Sequence, residues 1–164
     1  MRAVFVAGLT ELGPGIINLC PETTLDEEER IKLALKIIPA GGMEGDFVVV
    51  SFKKVFKAAA IIVPVPAFDE SQDVRGSYAA FGFLLDKNVN SLPYQDILKE
   101  ITEVCKKNNI LSVPILKNLC TELYTTLKES RNLNLKISYG VEVKLPFNPL
   151  KTTGETLRDA MKRL

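Results

Sequence analysis

One arginine in this chain has the type and setting for chemistry. Arg75 sits in the polar stretch AFDESQDVRGSY, beside Gly76 and just ahead of an apolar run that ends at Asp86. A guanidinium is planar, permanently charged and forked, which makes Arg75 the first side chain to consider for chemistry. The plain alternative is a solvated side chain paired with Asp69, Glu70 or Asp73, as most loop arginines are.

The other chemistry-bearing residues read as structure. Cys20 is a thiol at a strand end, but histidine is absent, so the usual base for such a nucleophile is missing. Gly13-Pro14-Gly15 has the glycines of a phosphate cradle, yet no Lys-Ser/Thr and no helix follows, so it reads as a turn. Gly41-Gly42-Met43-Glu44-Gly45 reads as a link from helix to strand. The acids Asp26–Glu29 suit the first turn of a helix, whose dipole favours negative charge. No metal-ligand spacing and no cofactor motif is visible.

Composition narrows the partners. The 164 residues carry 21 basic and 20 acidic side chains, a net charge of +1. Without a basic excess or a basic run longer than two, nucleic-acid binding has no electrostatic support. No stretch of about 18 apolar residues is present, so no transmembrane segment is expected, and the short apolar start MRAVFVAGL is too brief for a signal peptide. The three cysteines cannot all pair, which fits buried thiols in a reducing cytoplasm.

The elements that must position these residues follow from pattern. Residues 3–9 and 15–20 read as strands joined by a turn longer than two residues. Thr24 or Asp26 can cap a helix over 25–38, with Leu25, Ile31, Ala34, Leu35 and Ile38 near helical spacing. Strands follow at 46–54, 57–65 and 77–85, with a hairpin tip at Lys53-Lys54. Two helices follow at 94–107 and 114–130, each opened by a proline. Residues 136–147 alternate with period two and read as one strand, and 152–164 read as a last short helix. Strands apolar on both faces need cover on both sides. The helix between the second and third strands carries the chain across the sheet, which leaves the middle for the fifth strand.

This order resembles the longin fold. FVAGLTELGPGIINLCPE is similar to the opening of longin domains in the nitrogen permease regulator-like and folliculin group, and GDFVVVSF, AAAIIVPVP and YAAFGFLLDK resemble their third, fourth and fifth strands. The resemblance covers roughly residues 1–130 and suggests a stand-alone archaeal-type longin domain. It implies an α/β (α+β layered) fold: a five-stranded, mostly antiparallel sheet with one helix on one face and two on the other. Residues 1–132 would form the longin domain, and 133–164 an extension packed on it or on a partner. It also implies a cytoplasmic interaction module, of the kind active in membrane trafficking, with no activity of its own. That module would bind a small GTPase and pair with itself or with another longin or roadblock-like subunit, through a sheet edge and the first helix. In the sharpest form Arg75 is an arginine finger that activates the GTPase in trans. The alternative is a small-ligand sensor of PAS-like type.

Overall fold

The computed structural model describes residues 1–38, 43–66, 77–129, 133–138 and 140–145. Seven strands and three α-helices are present among them: β1 (Ala3–Thr10), β2 (Gly13–Cys20), α1 (Glu27–Ile37), β3 (Phe47–Phe52), β4 (Phe56–Val65), β5 (Ser77–Asp86), α2 (Leu92–Lys107), α3 (Val113–Lys128), β6 (Leu133–Ser138) and β7 (Val141–Leu145). β1 to β5 form one sheet in the order β2-β1-β5-β4-β3, with every neighbouring pair antiparallel. The fifth strand therefore fills the middle, and α1 bridges the two edges, as the element order predicts.

The two faces of the sheet are built differently. On one, Phe81, Phe83 and Leu85 of β5 lie with Val4, Val6, Ile61 and Val63, and α2 and α3 cover them with Ile97, Leu98, Ile101, Leu116, Leu119 and Leu123. The rings of Phe83 and Tyr94 meet edge-on, with centroids 4.9 Å apart. On the other face the floor is small: Ala3, Ala7, Ala58, Ala60 and Ala80, with Phe5, Ile62 and Leu84 among them. A single helix suits that shallower face. Gly82 belongs to the same economy of space. A Cβ added there would stand 2.5 Å from the Ala60 Cβ, 2.6 Å from the Ala59 carbonyl oxygen and 2.8 Å from Cζ of Phe5.

Four local readings change. The turn between β1 and β2 contains only Glu11 and Leu12, because Thr10 pairs with Gly13 and Leu9 with Pro14. Gly13 takes a φ of +105° to close it. Pro14 lies inside β2, where the missing N–H is tolerated because β2 is an edge strand. Pro64 has a matching reason: it pairs with Tyr78, beyond the point where β3 has ended against Ile61.

The second change concerns α1. Asp26, not Thr24, caps it. Its carboxylate accepts from the Glu29 N–H at 2.8 Å, and Glu29 accepts in return from the Asp26 N–H at 3.1 Å. Arg30 donates to the Leu25 carbonyl at 3.2 Å and also to that of Glu22, which fixes the helix rotation. Leu33, Ala34 and Ile37 then point inward, while Ile31 and Leu35, expected in the core, are 50% and 58% exposed. Replacing Asp26 by alanine removes the cap, and thermal or urea melts should show a loss of about 1 kcal/mol.

The third change concerns the alternating stretch 136–147. It is two strands, not one: β6 turns back into β7, with Ser138 opposite Val141 and Gly140 at φ +79°. The hairpin is a separate two-stranded sheet, with β6 against α3 and β7 against α2. Leu135, Ile137 and Val143 are buried in the core that α2 and α3 share with the main sheet. The backbone N–H of Lys136 donates to Glu122 on α3 at 2.8 Å. An isolated hairpin is marginal in water, so this burial holds it. The fourth change is small: α2 begins at Leu92, one turn position before Pro93. The expected helix over 152–164 lies outside the described residues.

Candidate functional site

Arg75 and the stretch 67–76 around it lie outside the described residues. What the structure gives is the frame that brackets them. Val65, near the end of β4, pairs with Ser77 at the start of β5, so the stretch leaves and re-enters the sheet between its two most buried strands. β5 pairs with β4 along its length and with β1 from Ala79 to Leu84, so Val65 and Ser77 at this end are held by each other.

The β1–β2 turn stands at this same end of the sheet, since Gly8 pairs with Ala79. Its apolar side chains face water. Leu12 is fully exposed, Leu9 is 61% exposed, and Tyr78 beside them is 41% exposed. A turn normally carries polar residues at such positions. An exposed apolar group around one sheet end has the composition of a contact surface.

A second apolar surface lies along the β2 edge. Glu29 forms an ion pair with Lys53, which follows β3, and Lys36 donates to the Ser51 carbonyl on β3 at 3.1 Å. These contacts turn one flank of α1 toward β3. At 3.6 residues per turn, Ile31 and Leu35 fall roughly opposite that flank, toward β2 and solvent. Among the described residues β2 pairs with β1 alone, and GPGIINLC contains no charged residue to protect its other edge. Charge on α1 is local by comparison. Lys32 donates to Glu28 one turn earlier, and this holds the Glu28 carboxyl below and the Lys32 ammonium above their ordinary ranges. Glu29 is held low by Lys53 and by the Asp26 N–H.

The remaining candidates have structural roles. Asp26 and Glu29 form the helix cap, and Glu27 and Glu28 fill the first turn. Among the described residues no group of three or more histidine, cysteine or acidic side chains could hold a metal ion. Gly13-Pro14-Gly15, expected as a turn, is the start of β2, paired with Thr10, Leu9 and Gly8. Burial pushes the Cys105 thiol up to about 11, and burial pushes the Cys120 thiol up further. Cys20, at the end of β2, is half-buried. A cleft of about 270 Å³ is lined by Met1, Tyr94, Tyr124, Leu127 and Lys128, just below the usual range for sites that enclose a small organic ligand. Arg2 and Asp86 form an exposed ion pair at 2.9 Å, with Arg2 over the Phe56 ring.

The sequence drew attention to Arg75 but not to Leu9, Leu12, Ile31, Leu35 or Tyr78. A signal was present for three of them: Leu12 is an apolar residue in a tight turn, and α1, with Ile31 and Leu35, carries more apolar positions than one inward face needs. Among the described residues no helix is long and apolar enough to cross a membrane. No protein-family model matches the chain, and no curated protein matches it either.

Proposed function

We propose that this chain is a longin-type interaction module that pairs through the β2 edge and α1 and regulates a small GTPase, with Arg75 as the residue offered to the nucleotide. The observation that carries the reading is the edge along β2: Ile31 and Leu35 are exposed on α1, beside an edge strand that has no charged residue. Soluble proteins rarely leave such an edge bare. A second copy or a similar subunit would extend the sheet and cover the helix flank together.

The GTPase part rests on different support. The stretch bearing Arg75 joins the two central strands at the end where Leu9, Leu12 and Tyr78 are exposed. A rigid sheet end with an apolar rim is suited to dock a globular partner and hold an arginine against it. The layered α+β architecture, with the fifth strand central, is the layout the longin resemblance implies.

The pairing is tested by mass in solution. The chain should sediment as a dimer at micromolar concentration, and Leu35→Glu or Ile31→Glu should return it to the monomer. Both side chains are exposed, so stability should stay within about 0.5 kcal/mol. A wild-type chain that is monomeric alone and remains so with candidate subunits defeats the pairing. The GTPase reading is tested by single-turnover GTP hydrolysis with and without the chain.

A further inference from the structure

We propose that Cys20 and Cys120 form a peroxide-responsive thiol pair that closes into a disulfide between β2 and α3. The placement follows from register. Asn18 and Cys20 pair with Val6 and Val4, which face α2 and α3, so both side chains project onto the helical face. The Asn18 side-chain amide donates to the Lys117 carbonyl on α3 at 3.1 Å. Cys120 lies three residues further along α3, nearly one turn on and on the same side. Cys20 packs against the core in which Cys120 is buried. Burial first, and then the neighbouring Cys20 thiol, raise the Cys120 thiol, while a hydrogen bond with Asn18 acts against them.

The two thiols differ in a useful way. Cys20 is half-buried and within reach of a small oxidant, whereas Cys120 and Cys105 are buried. A hydroperoxide meets Cys20 first. The Cys20 sulfur attacks the O–O bond, an S–O bond forms, and water or an alcohol leaves, giving a sulfenic acid. The Cys120 sulfur then attacks the Cys20 sulfur. The S–S bond forms, the S–O bond breaks, and hydroxide departs with the Cys120 proton as water. Two thiols and one hydroperoxide thus give a disulfide and two molecules of water, or water and an alcohol. Burial shields Cys120 from the oxidant and raises its thiol pKa, so its attack on the oxidised Cys20 sulfur is the slow step of the closure. The product ties an edge strand to a helix a hundred residues later in the chain (Cys20 to Cys120).

The experiment treats the full chain with hydrogen peroxide, alkylates the remaining thiols and maps peptides without reduction. A Cys20–Cys120 linked peptide is expected, with Cys105 alkylated. Closing so long a loop should raise the melting temperature by roughly 10 °C, reversibly with dithiothreitol. Cys20→Ser should abolish the link and the rise, and Cys105→Ala should keep both. Cys20→Ser changes a half-buried position, so its reduced melt checks that the fold is intact. Cys20 carried on to sulfinic acid without a link, a Cys20 dimer between two chains, or unreacted thiols would each overturn the pairing.

Discussion

Replacing Arg75 by alanine is expected to lower GTP hydrolysis by the bound GTPase by roughly 10³-fold or more, under single-turnover conditions at saturating chain. The size follows from the chemistry. As the γ-phosphoryl group separates, charge spreads over its oxygens, and an arginine inserted there is worth about 10³–10⁵ in rate. Binding should change far less, because the proposed docking rim of Leu9, Leu12 and Tyr78 is untouched by the substitution. The split between affinity and rate is therefore the diagnostic. Arg75→Lys should recover little, since a point charge on a flexible stem does not reproduce the planar fork. Equal rates for wild type and Arg75→Ala would remove the arginine finger and leave a binding module.

The second large effect is on stability. Gly82→Ala should destabilise the fold by about 3 kcal/mol, seen as a lower urea midpoint at unchanged slope. The added methyl meets three groups, and only one of them is free to move aside: the Phe5 ring edge, against the Ala60 Cβ and the Ala59 carbonyl oxygen. Phe5→Leu should therefore fail to rescue Gly82→Ala. If it restored most of the loss, the aromatic contact alone would set the limit. Against a typical margin of about 5–15 kcal/mol, the single methyl is a large change for the central strand.

The sheet was legible in the sequence because β4 and β5 are apolar on both faces, which only a doubly covered central position explains. α2 and α3 were legible for the opposite reason: each carries one clear stripe, with a proline at its start. α1 was not. Leu33 and Ile37 form one apolar stripe and Ile31 and Leu35 another, so helical period alone leaves two rotations open. The Asp26 cap and the Arg30 hydrogen bonds choose between them.

The β6–β7 reversal was hidden by parity. Leu135 pairs with Val143 and Lys136 with Glu142, and the register then shifts before Ser138. Leu135 and Ile137 of β6 and Val143 of β7 are all buried, so odd-numbered positions face inward in both strands and the alternation reads as one continuous pattern. For the candidate site, the arginine was recognisable by residue type and resemblance. Its apolar rim was not, because whether Leu9 or Leu12 is covered depends on strands remote in the chain.

The place of β5 sets the order in which the fold can assemble. β1 with β2, and β3 with β4, are local hairpins separated by short turns. Neither hairpin pairs with the other; only β5 touches both. During synthesis the two hairpins emerge first, with α1 between them, and the edges of β1 and β4 that β5 will pair stay open until residue 86 has been made. Closure of the sheet is then a non-local event, and such events are slow. The interval before β5 inserts leaves the inner edges of both hairpins exposed, the kind of state from which aggregation proceeds.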